Sequence, residues 1–216
     1  MLDKTDLFGA LPPDLLDQLR GRATLRKYRR GDRIFDKDDA ATHLYVVVSG
    51  RVAITASAAD ARESVISVLG EGALFGEMSL FDGGVRSATA RVLTPVHAIS
   101  LSFDDVRAVL EDRPELLWTV VGILAKRLRA TDEALADAVF LDVTGRTAKR
   151  LLELADGDDE FRMPLTQEEL AGMVGASRER VNKAIATFVR LGWLEVSGRG
   201  RYRILDRDEL IARTLV

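Results

Sequence analysis

Phe75-Gly76-Glu77-Met78-Ser79-Leu80, followed after a Gly83-Gly84 turn by Arg86-Ser87-Ala88, gathers the groups that a sugar phosphate requires. Arg86 can fork onto phosphate oxygens and Ser87 adds an O–H donor. Glu77 can accept from a ribose hydroxyl, and Gly76, in the same run as Met78, lets a ligand approach the main chain. The set suits a nucleotide monophosphate. In the competing reading the stretch is a charged β-turn whose Glu77 and Arg86 form a solvated ion pair. A second group lies much further along the chain. Thr166-Gln167-Glu168-Glu169 is a capping box, Gly175 makes a turn, and Ser177 caps a helix beginning Arg178-Glu179-Arg180. At about 100° per residue, Arg178, Glu179, Asn182, Lys183 and Ala186 share one face of this helix, while Val181, Ile185 and Phe188 share the other. From Arg178 to Arg203, seven basic residues stand against only Glu179 and Glu195, although the whole chain carries a net charge of −3. Such a local basic region is the footprint of a DNA-facing surface on a mildly acidic protein.

Three segments must position these groups. Up to about Arg113, apolar runs at Leu44 to Thr55, Val65 to Leu69, Ala88 to Val92 and Val96 to Leu101 alternate with Gly-containing turns, which predicts closed or rolled antiparallel β structure. Short helices are expected around Pro13 to Arg20 and at Phe103 to Leu110, the latter capped by Ser102. A long helix follows from about Pro114 to Val139. Its seam of Leu117, Val121, Leu124, Leu128, Thr131, Leu135 and Ala138 alternates spacings of four and three, the heptad pattern of a dimer contact. Alternatively the stripe covers the β segment of its own chain. From Val143 the chain reads as a winged helix-turn-helix, with Trp193 to Val196 and Tyr202 to Leu205 as the wing.

Composition narrows the function classes. The 216 residues are ample for two small cores, and 47% hydrophobic with 30% charged residues is ordinary for a globular protein. There is no apolar run long enough to span a bilayer, so a cytoplasmic protein with no membrane partner is expected. With no cysteine and only His43 and His97 as imidazoles, no metal site is expected.

The cassette from Phe75 to Ala88 resembles the phosphate-binding cassette of cyclic-nucleotide-binding domains, and the Ser177-Arg178-Glu179 helix start resembles the recognition helix of the cyclic AMP receptor protein (Crp/Fnr) family. The resemblance extends over nearly the whole chain. It implies an α+β fold with three parts: an N-terminal antiparallel, jelly-roll-like β-roll that binds cyclic nucleotide (1–113), a dimerisation helix and hinge (114–142), and a C-terminal winged helix-turn-helix that binds DNA (143–216). It further implies cyclic AMP as allosteric ligand at Gly76, Glu77, Met78, Arg86 and Ser87, with Thr131 and Asp132 meeting the adenine from the dimer helix. Asp132 departs from the small hydroxyl or amide usual there. It offers acceptors only, which suits an adenine amino group, and an ordinary surface aspartate is the alternative.

The partners implied are double-stranded DNA, a second copy of the chain in a homodimer, and RNA polymerase. Arg178 is positioned to read guanine and Glu179 cytosine, with Lys183 one turn on; Ser177 belongs to the same DNA-binding set. Arg180, Arg199, Arg201, Arg203 and Thr166 are expected to hold phosphates, and the half-site to resemble TGTGA. Asp156 to Arg162 reads as a charged surface loop. Two other functions stand beside this one: a Crp-like regulator that binds DNA constitutively or answers another small ligand, and a cyclic-nucleotide-dependent regulatory subunit or enzyme. The latter has no histidine, cysteine or glycine-rich constellation left for catalysis, so no catalytic residue is assigned.

Overall fold

Strand β3 (His43–Ser49) shows why the apolar runs of the first segment are continuous in places: it is covered on both faces. Its Leu44 and Val46 belong to one buried cluster and Val47 to another. The computed structural model describes Thr5 and residues 8–57, 63–198 and 200–215. They divide into two units, bounded as Met1–Ala56 with Ile66–Arg129 and as Ser57–Val65 with Ala130–Val216.

In the N-terminal unit, β1 (Thr24–Tyr28), β8 (Val96–Ser102), β3 and β6 (Leu74–Phe75) make one four-stranded sheet in the order β1-β8-β3-β6. The second sheet is ordered β2-β7-β4-β5, from β2 (Arg33–Phe35), β7 (Thr89–Val92), β4 (Val52–Ser57) and β5 (Glu63–Leu69). The β1–β8, β3–β8, β3–β6, β2–β7 and β4–β7 pairings are antiparallel. Val47, Val52, Phe75, Ala90, Val92, Val96 and Ala98 fill the core of one cluster. In the other, Leu44, Val46 and Leu101 pack with Leu15, Leu16 and Leu19 of α1 (Pro13–Arg22) and Val106, Val109 and Leu110 of α3 (Phe103–Asp112). Ser102 caps α3 as expected, accepting from the Asp105 N–H at 3.1 Å.

The run from Leu44 to Thr55 breaks at Gly50, whose φ of +91° no β-branched neighbour could share, and whose missing Cβ would lie 2.3 Å from the Pro95 carbonyl oxygen. Strands β1 and β2 were not legible as strands. β1 is an edge strand with Leu25, Arg26 and Lys27 all exposed, so it lacks the alternation a half-buried strand shows.

The long helix starts later than its proline suggests. Pro114–Leu116 is a 3-10 turn, and the α-helix proper, α4, spans Leu117–Phe140. Leu116 and Val120 are buried in the N-terminal core, with Ile123 packed against it. Of the heptad seam, Leu117, Val121, Leu124, Leu128 and Leu135 stay exposed, Leu128 at 62% and Leu135 at 66%.

In the C-terminal unit, Asp142 caps α5 (Val143–Ala155) by accepting from the Gly145 N–H at 2.7 Å. Lys149 of α5 reaches back to Asp137 on α4 at 2.8 Å, and Arg146 donates to the carbonyls of Leu141 and Val174. Helices α6 (Gln167–Val174) and α7 (Arg178–Leu191) pack on α5, and α8 (Arg207–Ala212) follows the wing. The charged loop expected over Asp156 to Arg162 ends instead in a strand, β9 (Glu160–Arg162). It adds to β10 (Leu194–Ser197) and β11 (Arg201–Ile204) in a three-stranded sheet ordered β10-β11-β9. Charge hid this strand. Its one apolar residue, Phe161, pairs with Tyr202 across the sheet, ring centroids 5.6 Å apart.

Candidate functional site

Strand β6 delivers the chain to Gly76, where φ is +74°, and α2 (Met78–Asp82) starts directly after Glu77. A Cβ at Gly76 would lie 2.8 Å from Nη1 of Arg86 and 3.2 Å from Cε1 of Phe35. The glycine thus makes room for the chain's own arginine as well as for any ligand. Gly83, at φ +69°, ends α2, and the buried Ser79 hydroxyl donates to the Val85 carbonyl at 3.1 Å, closing the loop that presents Arg86. The Arg86 main chain is fixed by the Asp38–Asp39 loop: its N–H donates to the Asp39 carbonyl, and its own carbonyl accepts from the Asp38 N–H.

The ion pair considered between Glu77 and Arg86 does not form. Glu77, only 2% exposed, accepts through Oε1 from Nη1 of Arg127 on α4, and Nη2 of Arg127 donates to the Leu74 carbonyl. Arg86, 4% exposed, donates from Nη1 to the Gly76 carbonyl and from Nη2 to the His43 carbonyl, each at 2.6 Å. Neither group is a solvated surface charge. Nε of Arg86 and Oε2 of Glu77 are buried and make no hydrogen bond within the protein. One is a cationic donor and the other an acceptor, the valences that a phosphate oxygen and a ribose hydroxyl satisfy, so the residues present fit a cyclic nucleotide. Ser87 and Met78 are exposed beside them, the Ser87 hydroxyl 3.6 Å from Sδ of Met78. Arg127 is the residue that sequence reasoning missed here; its partner is 50 positions away. Thr131 and Asp132 are exposed positions of α4 in the second unit.

Burial raises the Glu77 pKa above its ordinary value, and the charge of Arg127 reverses this only in part. The folded chain therefore holds this proton more tightly than the unfolded one. The group's favourable contribution to stability is present below its unfolded value and is lost as pH rises through the folded value. Glu77→Gln is expected to flatten that decline, read as thermal midpoints of both proteins across the pH range just above the ordinary carboxylate value. A wild-type curve as flat as the variant's would contradict it.

In the second unit the capping box closes as its residues suggest: Thr166 Oγ1 accepts from the Glu169 N–H at 3.2 Å, and the Thr166 N–H donates to Oε2 of Glu169 at 2.7 Å. Gly175, φ +69°, turns the chain, and the Ser177 hydroxyl accepts from the Arg180 N–H at 3.4 Å. On α7, Val181, Ala184, Ile185 and Phe188 are buried while Arg178, Glu179, Arg180, Asn182, Lys183 and Ala186 are exposed. Arg199 lies outside the described residues. Arg203 is not the open phosphate donor the charge run suggested: it pairs with Glu160 on β9 and lies 3.6 Å from Glu195 on β10. Arg162, in contrast, sits opposite Arg201 in the β9–β11 register, so that a cation of β9 faces a cation of the wing. Such an arrangement is unfavourable until an anion joins it. A cavity of about 300 Å³ is lined by residues of these three strands, Arg162 and Arg201 among them. Among the described residues, no group of three or more His, Cys, Asp or Glu could hold a metal ion, and no helix is long and apolar enough to cross a membrane.

Known proteins share both halves of this arrangement. The family model for the cyclic nucleotide-binding domain matches residues 25–113, and that for the Crp-like helix-turn-helix domain matches residues 145–213. The CRP-like cAMP-activated global transcriptional regulator of Mycobacterium tuberculosis is 38% identical, across 99% of this chain and 98% of that protein. FixK2 from Bradyrhizobium japonicum shares the fold, with a TM-score of 0.83 at 20% identity over 90% of this chain and 98% of FixK2. CLP, the c-di-GMP responsive global regulator of Xanthomonas campestris, superposes with a TM-score of 0.73 at 27% identity, over 90% of this chain and 99% of CLP. With a buried cation and carboxylate in its β-roll and an exposed basic face on the second helix of a helix-turn-helix, the chain belongs to the Crp family of DNA-binding transcription regulators and carries a cyclic nucleotide-binding domain.

Proposed function

We propose that the chain is a cytoplasmic, homodimeric regulator whose affinity for a TGTGA-like palindrome is modulated by cyclic AMP. The observation that carries the ligand reading is the pair of buried, unsatisfied polar atoms, Arg86 Nε and Glu77 Oε2, on one cassette. In this reading Arg86 and Ser87 hold the phosphate, Glu77 holds the ribose, and Gly76 and Met78 line the approach. Thr131 and Asp132 meet the base from α4. The ligand supplies no chemistry of its own, and the chain acts by binding without catalysing a reaction. Ligand binding favours the DNA-competent arrangement only to the extent that the pocket is better formed there.

The exposed seam of α4 supports the dimer, since five large apolar side chains in heptad spacing remain between 37% and 66% exposed among the described residues. Leu128→Asp is expected to give monomers in sedimentation at micromolar concentration, because it places charge in the seam. Thr131→Ala is expected to leave the dimer intact while weakening cyclic AMP binding and the ligand's enhancement of DNA affinity. A Leu128 variant that sediments as a dimer removes the heptad assignment.

On DNA, the outward positions of Arg178, Glu179 and Lys183 on α7 support base reading. Ser177, Thr166 and Arg180 at the helix starts, with Arg199, Arg201 and the newly apparent Arg162 on the wing side, are assigned to the backbone. RNA polymerase is the further partner of a regulator of this kind. A second reading, a Crp-like protein that binds DNA constitutively or answers a different small ligand, is favoured by Asp132 and by the similarity to a c-di-GMP responsive regulator. Calorimetric titration with cyclic AMP, cyclic GMP and c-di-GMP, joined to selection over random DNA sites with and without each, separates the two. DNA selection unchanged by cyclic AMP would favour the second.

A further inference from the structure

Phe35 ends strand β2, where the register with β7 shifts between Arg33 and Phe35, an irregularity that re-aims a side chain. Its ring joins Tyr45 and Phe75 in a cluster with centroid distances of 5.9 and 6.0 Å. The guanidinium carbon of Arg86 stands 4.2 Å from the Phe35 centroid, against 5.9 Å from Tyr45 and 5.7 Å from Phe103. Phe35 is therefore the ring in direct contact with the cation. It also abuts the cassette from below, its Cε1 lying 3.2 Å from where a Cβ of Gly76 would be.

We infer that Phe35 is a positioning residue for the ligand phosphate, holding the Arg86 guanidinium by its ring face so that the N–H edge is presented with its full charge. The inference rests on the reading that Arg86 binds that phosphate. The nature of the hold matters. A carboxylate on Arg86 would position it equally well but would compete with the phosphate for the same donors. A ring face and two carbonyl oxygens fix the guanidinium plane while leaving it a net cation. Nη1 and Nη2 each donate one N–H to the carbonyls of Gly76 and His43, while the buried Nε–H has no partner within the protein and is the donor that an anion would satisfy together with the second N–H of an Nη. A cation already oriented before the ligand arrives loses less side-chain freedom on binding.

The test uses the full-length chain with cyclic AMP as probe, titrated calorimetrically against wild type, Phe35→Leu, Phe35→Tyr and Arg86→Leu. Phe35→Leu keeps an apolar side chain but removes the π face, and is expected to weaken binding roughly 5- to 30-fold. Phe35→Tyr, which restores the face, is expected to recover most of the wild-type affinity. An independent signature needs no variant to fold well: in the wild-type protein the Arg86 Nε–H proton resonance is expected to be displaced by the Phe35 ring current. Phe35→Leu is expected to reduce that displacement to what the more distant Tyr45 and Phe103 rings supply. Should Phe35→Leu bind like wild type while Arg86→Leu does not, or should Phe35→Tyr lose as much as Phe35→Leu, the positioning role is wrong and the phosphate assignment stands. An Arg86 resonance without ring-current displacement also overturns it. If Arg86→Leu binds like wild type, the ligand reading itself has failed.

Discussion

Arg86→Leu is expected to abolish measurable cyclic AMP binding. A charge-assisted bond between a desolvated phosphate and a buried guanidinium is worth roughly 2–5 kcal/mol, equivalent to a loss of about 30- to 5,000-fold in affinity. The geometry adds a second consequence. Leucine leaves the Gly76 and His43 carbonyls without the donors they now have, so the ligand-free variant should also unfold at a lower temperature than wild type. Dimerisation should persist, since the seam of α4 is formed by other residues. The two losses are separated by titrating at a temperature well below the variant's own midpoint, where it is fully folded. Unchanged affinity for cyclic AMP under those conditions would remove the phosphate assignment.

The next largest effect distinguishes base reading from attachment on DNA. Arg178, exposed at the first position of α7, is expected on substitution by alanine to lose roughly 1–3 kcal/mol of discrimination at one guanine per half-site. Arg201→Ala should behave differently. It should weaken all sequences about equally and reduce the salt dependence by about one unit of slope, because each phosphate neutralised releases counterions. Since Arg162 faces Arg201 across the sheet, Arg162→Ala should resemble Arg201→Ala and leave base preference intact. Binding is measured on the consensus and on single-base variants at several salt concentrations. Uniform weakening by Arg178→Ala, with relaxed preference at one position for Arg201→Ala, would exchange the roles of helix and wing.

Sequence by itself determined what depends on neighbours a few positions away. Thr166 and Glu169 cap one another because a helix start brings residues three apart into hydrogen-bond reach. The buried and exposed faces of α7 and the apolar stripe of α4 follow from helical periodicity, whereas the exposure of that stripe is read from the structure. The closeness of Gly76, Glu77, Arg86 and Ser87 in space was likewise legible, because one turn and one short helix connect them. Only the tertiary structure decided the partners. Arg127 meets Glu77 across 50 positions, and His43 offers its carbonyl to Arg86 across 43, contacts that depend on which strands pair and where α4 lies on its own β unit. No local pattern encodes them. The wing shows the same limit: Arg201 and Arg203 share one exposed face of β11, yet the register of its pairing with β9 and β10 puts two carboxylates beside Arg203 and a second arginine opposite Arg201. Charge is written residue by residue, but whether a charge is open to a ligand depends on strand register, which is fixed only when distant segments come together.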